Sequence, residues 1–268
     1  MPVDSGLRTR DSGLIIRRMA ETYVVRRAVF SIEDPWAVPP QTELVRLRRA
    51  TDGAPLRLAT SVVAYFDSDF LTVVFSGADD LTVATHFDHD APLYEEDVVE
   101  VFLAPRVVSQ YFEIEVSPRG TVFAARIESP DGTRSTMKAD LSWDCEGLFA
   151  AVRTRRESSG LTSFDTVLRI PFSALGLPMP LSGDAWRANF FRIDRHPELG
   201  DEYSAWHPTL KRPADFHVTA AFGPSGSRGE NDANAFDHRE FMRHFLICNQ
   251  RLPTIDYIRL SPEDRKLR

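Results

Sequence analysis

Cysteine, lysine and long hydrophobic runs are the scarce things in this chain. Its two cysteines, Cys145 and Cys248, lie far apart and outside any metal-type spacing. That excludes a disulfide scaffold and a thiolate cluster. Two free thiols are expected, and a disulfide stays open only if folding brings the pair together. Lysine occurs only at Lys138, Lys211 and Lys266, so the positive charge is almost all arginine. With a net charge of −7 the chain lacks the basic surface that phosphate backbones require, and no nucleic-acid partner is expected. No stretch approaches the ~20 apolar residues of a membrane span, so no membrane partner is expected either. The patch Leu14-Ile15-Ile16 is too short for the core of a secretion signal. The expected compartment is the cytoplasm as the chain is written, or an extracellular or periplasmic one if its start is misassigned. No Gly-x-Ser-x-Gly elbow, phosphate-cradling glycine loop or suitably placed Cys–His pair occurs, which argues against the common catalytic designs.

What is present is strand signal. The 268 residues are 43% hydrophobic and 26% charged, which suits one soluble domain with appendages. Leu58, Thr60, Val62, Ala64 and Phe66 alternate, Asp67-Ser68-Asp69 turns, and Leu71, Val73 and Phe75 resume the alternation, which predicts a hairpin. Val98–Ala104 and Tyr111–Ser117 form a second pair, with Phe112, Ile114 and Val116 alternating against Glu113 and Glu115. Ser117-Pro118-Arg119-Gly120 then leads into a strand over Thr121–Ile127. Further strands are predicted at Phe149–Arg153, Phe164–Ile170 and Trp186–Ile193. Many short strands split by Gly, Pro and Asp turns predict an all-β fold, an antiparallel β-sandwich or jelly roll.

The ends read differently. Residues 1–23 are expected to be a poorly ordered arm, 24–224 the sandwich, and 225–268 a linker and helical tail. Asn231 or Asp232 can cap a helix to about Cys248, with Phe241, Met242, Phe245 and Leu246 as its apolar stripe. Ser261-Pro262-Glu263-Asp264 resembles another helix start. This short helical C-terminal extension would pack on the sandwich or form a homo-oligomer contact.

The run Tyr94-Glu95-Glu96-Asp97-Val98-Val99-Glu100-Val101-Phe102-Leu103-Ala104-Pro105 concentrates the chemistry. An aromatic and three acids precede a strand, and the period of two puts Glu100 on the face of Val98 and Phe102. A carboxylate among apolar positions needs a partner. Arg169, Arg187 and Arg192 are candidates for that pairing, and a ligand hydroxyl is the alternative. A ring offers sugar C–H groups a flat apolar surface while nearby polar groups fix orientation. Upstream, His86, Asp88, His89 and Asp90 form a compact polar loop in which zinc is disfavoured and a structural calcium is allowed. Glu95, Glu96 and Asp97 are adjacent and point in different directions, whereas a glycosidase needs two carboxylates across one bond.

The ordered series Asp34-Pro35-Trp36, the Val63–Val73 hairpin, Glu96–Pro105, Tyr111–Gly120, Leu168–Gly176, Gly183–Arg192, Ser204–Pro208 and Phe222-Gly223 resembles the family 9-like carbohydrate-binding modules, which are DOMON-like β-sandwiches. The resemblance spans about residues 28–224. It implies a non-catalytic module that holds a mono- or oligosaccharide end by stacking and hydrogen bonds. Tyr94 would replace the tryptophan that stacks on the terminal sugar, and Glu100 would match the glutamate that bonds sugar hydroxyls. The second clamp tryptophan has no counterpart in Pro213–Val218, where Phe216 or His217 would substitute, with Trp206 as another candidate. Arg192 would bind a hydroxyl or neutralise Glu100. Trp36 and Trp186 are expected in the core. No cofactor is implied beyond a structural calcium, and haem is disfavoured because the methionines fall outside the central strands. The rival expectation is an interaction or assembly protein that keeps the sandwich and has lost the sugar site.

Overall fold

The computed structural model describes residues 23–222, apart from 29, 32, 41, 182 and 183, together with the strand at 245–251. In chain order the first strands are β1 (Tyr23–Arg27), β2 (Leu44–Arg46), β3 (Arg48–Arg49), β4 (Thr60–Phe66), β5 (Phe70–Asp79), β6 (Val98–Ala104) and β7 (Gln110–Val116). They are followed by β8 (Val122–Glu128), β9 (Lys138–Asp140), β10 (Phe149–Arg156), β11 (Thr162–Pro171), β12 (Arg187–Asp194), β13 (Glu202–Ala205) and β14 (Phe245–Arg251). The first sheet runs β10-β11-β5-β4-β1-β14, with β2 also bonded to β4, and the second runs β3-β13-β12-β6-β7-β8-β9. The expected hairpin is the β4–β5 pair, antiparallel from Thr60 opposite Gly77 to Phe66 opposite Leu71. The all-β sandwich is therefore present. Its pairing is antiparallel except at β1, which runs parallel to both β4 and β14.

Alternation explains how the layers close. Val62, Ala64 and Phe66 of β4 and Leu71, Val73 and Phe75 of β5 meet Val99, Val101 and Leu103 of β6 in one buried cluster between the sheets. Each such fully buried side chain contributes about 1.5–3 kcal/mol relative to exposure. Trp186 joins this core, as expected. The intervening residues of the first sheet, Val63, Tyr65, Val74 and Val167, face outward and are covered by Ala28, Phe30, Trp36 and Val38. Trp36 thus caps the outer side of that sheet, with the Arg153 guanidinium 4.7 Å from its ring. Arg169 is held between the rings of Phe30 and Phe70, at 3.9 and 4.0 Å, and bonds Asp67 at 2.7 Å.

The tail departs from expectation. Phe245–Arg251, which overlaps the end of the helix expected to run to about Cys248, is a strand paired with β1, with Phe245 opposite Tyr23 and Ile247 opposite Val25. A short apolar run fits a helix or a strand by periodicity alone, and the bonding edge of β1 decides between them. The extension over these residues is therefore not helical. A homo-oligomer contact through a helical tail loses its support, because this segment completes a sheet of its own chain. Residues 231–244 and the second helix start at Ser261 lie outside the described residues.

Candidate functional site

The outer face of the second sheet collects the chemistry of the chain. All seven residues of β6 are buried, so both sides of that strand are covered. Its outward side chains, Val98, Phe102 and Ala104, pack with Tyr111 of β7, Phe123, Ala125 and Ile127 of β8 and Phe191 and Ile193 of β12. Leu93 covers them from one side, and Phe216 and Phe222 from the segment after β13.

Tyr94 sits on a 3-10 turn, Leu93–Glu95, whose first residue is buried as an anchor. Its side chain is 46% exposed and meets the edge of Phe123 at 6.4 Å between ring centroids. Arg195 holds the backbone there by donating from Nη2 to the Tyr94 carbonyl at 2.6 Å. The acids that follow do not all reach the rim. Glu96 accepts from the backbone N–H groups of Thr85 and His86 and from the Thr85 hydroxyl. Asp97 accepts from the backbone N–H groups of Val83 and Arg195, both at 2.7 Å. Both brace the loop, and burial pushes the Asp97 carboxyl up to about 7. Only Glu95 stays in solvent, with 63% of its side chain exposed.

Cross-strand register builds the floor. Glu100 of β6 stands opposite Glu115 of β7, and Phe102 opposite Glu113. Oxygens of Glu100, Glu113 and Glu115 lie within 4.8 Å of one another. The three residues are 2%, 5% and 0% exposed. Oε1 of Glu100 and both carboxylate oxygens of Glu115 accept no hydrogen bond. Burial, reinforced by the neighbouring carboxylates, holds Glu100 and Glu115 well above the usual carboxylate range. Burial pushes Glu113 up to about 7. His217 borders the cluster, its Nε2 3.9 Å from Glu113 and its Nδ1 2.8 Å from the Tyr111 hydroxyl. Burial and then the Arg134 charge push His217 down to about 4, so near neutral pH it brings no positive charge.

The expected site residues divide between two faces. Tyr94, Glu100 and Phe216 belong to the outer face of the second sheet. Phe216 is buried there with its ring stacked on Phe191, 4.2 Å apart and 15° from parallel. Arg192 and Trp206 belong to the inner side. Phe191, not Arg192, lies opposite Glu100, so alternation turns Arg192 toward the first sheet. There it bonds the Thr60 hydroxyl, the Ala78 carbonyl, Asp79 and Asp194. It also borders a cavity of about 30 Å³, room for about one water. Trp206 is 6% exposed and stacks on Phe190 at 5.6 Å in the inter-sheet core. None of the arginines considered as partners for Glu100 makes an ion pair with it. Arg169 pairs with Asp67, Arg192 with Asp79 and Asp194, and Arg187 donates to the Phe222 carbonyl.

The loop at 86–90 is occupied in other ways. Asp90 accepts from the Ala124 backbone N–H at 3.2 Å, and His89 pairs with Asp90 at 3.0 Å. Several residues around Tyr94 were not singled out in the sequence. Arg195 also bonds Asp201 and the Tyr203 hydroxyl, and Tyr203 packs edge-on against Phe216 at 6.0 Å. Arg134 and Arg195 are the cations whose charge reaches Glu100. The sequence signals pointing to the floor were Glu100 among apolar strand positions and the alternation of Glu113 and Glu115 with apolar residues.

Comparison with solved structures supports the same architecture. A protein from Bacteroides uniformis whose carbohydrate binding is inferred superposes with a TM-score of 0.58 at 16% identity, over 75% of this chain and 96% of its own. A carbohydrate-binding module of family 9 from Caldicellulosiruptor kristjanssonii, in complex with cellotriose, gives a TM-score of 0.50 at 10% identity, over 87% of this chain and 97% of its own. At these identities the likeness is one of fold. No protein of curated function matches the chain. The model of carbohydrate-binding family 9 matches residues 59–225, more than half of the sequence, and the chain belongs to that family.

Proposed function

We propose that the protein is a non-catalytic carbohydrate-binding module that holds a sugar or oligosaccharide end against Tyr94. The observation that carries this reading is a half-exposed aromatic ring, fixed by its own buried neighbour Leu93 and by Arg195, at the rim of a face rich in polar groups. Membership of carbohydrate-binding family 9 supports it, as does the family 9 fold neighbour described with cellotriose. The ring would stack on sugar C–H groups while Arg195, beside it, orients hydroxyls. Glu100, 2% exposed, lies beneath that contact. Phe216 is packed flat on Phe191, so the site as built has one stacking ring and not a two-sided clamp. Weak binding of a chain end follows from that geometry.

Isothermal titration against glucose, cellobiose, cellotriose and xylobiose tests the reading. Binding heat that Tyr94→Ala removes is the expected result. The packed Phe216 is also the observation that favours the rival, an interaction protein on a retained sandwich. Absence of heat from every glycan at millimolar concentration would decide for the rival.

A further inference from the structure

Glu100, Glu113 and Glu115 lie deeper than a sugar ring can reach as a group, since none is more than 5% exposed. Their burial raises a separate question of charge. Among the described residues, no arginine or lysine makes an ion pair with any of the three. His217, the one basic side chain in ion-pair range, lies 3.9 Å from Glu113. A second observation points to a ligand: Oε1 of Glu100 and both oxygens of Glu115 are buried without a hydrogen-bond donor. Buried polar atoms are almost always satisfied, and a cation among the three carboxylates would satisfy these oxygens, as a proton shared between them would in its absence.

We propose that Glu100, Glu113 and Glu115 form a buried site for one hard divalent cation of the calcium class. The donor set is all oxygen, which selects calcium, magnesium or manganese over softer metals. Calcium binds oxygens at 2.3–2.6 Å, so ligands on opposite sides of it stand about 4.6–5.2 Å apart. One oxygen from each of the three glutamates lies no farther than that span from the others. The three carboxylates supply at least one oxygen each, and calcium's range of six to eight would be completed by their second oxygens or by water. The ion would tie β6 to β7 across their register, and Arg134 and Arg195 would offset the remaining negative charge. The site differs from the loop at His86–Asp90, and it does not depend on the sugar reading.

Calcium titration of chelator-stripped, full-chain protein, by calorimetry and with no glycan present, is the test. One site per chain is expected, together with a rise in melting temperature on adding calcium. Glu115→Gln and Glu100→Gln should each weaken calcium binding by about tenfold or more. Asp88→Asn, on the other loop, should leave it unchanged. Circular dichroism shows whether each variant folds, and the second glutamate variant keeps the test standing if the first does not. No calcium heat at millimolar concentration would overturn the proposal, as would unchanged affinity in both folded glutamate variants. Glycan binding, measured separately, is judged by Tyr94→Ala, so either reading can fail without the other.

Discussion

Asp79, Asp80 and Asp194 on one side of the fold, and Glu100, Glu113 and Glu115 on the other, each bring three carboxylates within 4.8 Å. Their surroundings are opposite. Arg57 pairs with Asp80 and Asp194, and Arg192 with Asp79 and Asp194. Among the described residues the glutamates make no ion pair with an arginine or lysine; they have one another, a neutral histidine, and only the more distant charges of Arg134 and Arg195. Two clusters of equal size therefore do different work. The first ties the two sheets together at the ends of two interior strands, since Asp79 closes β5 and Arg192 lies near the end of β12. The second places carboxyls that burial keeps from ionising freely behind the face that carries Tyr94. The density of acids says little until the counter-charges are counted.

Breaking the paired cluster should give the largest effect. Arg192→Leu strands Asp79 as a buried charge, leaves Asp194 with Arg57 alone, and should cost about 3–5 kcal/mol in urea unfolding. Single neutralisations then separate the clusters by sign. Asp194→Asn should destabilise by about 1–3 kcal/mol, because it empties bonds from Arg57 and Arg192. Glu115→Gln in chelator at pH 8 should instead stabilise by about 1 kcal/mol, since burial disfavours the ionised carboxylate that the unfolded chain carries at that pH, whereas the amide has no charge to lose and adds a donor to its neighbours. Like signs for the two would mean that both clusters act on stability in the same way. Tyr94→Ala should move stability by no more than about 0.5 kcal/mol while abolishing glycan heat, as suits an exposed side chain.

The smallest effect is a slope. The Asp97 carboxyl rises from the ordinary 3.8 to about 7 in the folded protein. The folded state then holds a proton that the unfolded state has lost, so this contribution is full below the ordinary value and disappears as pH rises through about 7. Thermal melts at pH 5.5 and pH 8 should show a flatter pH dependence in Asp97→Asn than in the wild type.

Much of the sandwich was legible because strand alternation is a strong signal where one face is buried. Val62, Ala64 and Phe66, and Val99, Val101 and Leu103, marked inward positions that the structure fills. The site was less legible because it depends on which residue of one strand meets which of the next. Glu100 and Glu115 are neighbours only through the β6–β7 register, and Arg192 was drawn toward Glu100 although Phe191 takes that place. A shift of one residue exchanges the faces. Trp206 read as a loop residue because β13 is only four residues long. At Phe245–Arg251 an apolar spacing that suits a helix yielded to pairing with β1, a long-range partner that local pattern does not announce.

The position of β1 has a practical consequence for anyone cutting this protein into pieces. The family match begins at residue 59, yet Tyr23 and Val25 are fully buried, and β1 lies inside the first sheet between β4 and β14. A fragment spanning 59–225 would remove that strand and the final one bound to it, leaving the bonding edge of β4 bare over Tyr65 and Phe66. Such a fragment should aggregate or express poorly, whereas one that begins ahead of Tyr23 and runs past Arg251 keeps the sheet closed.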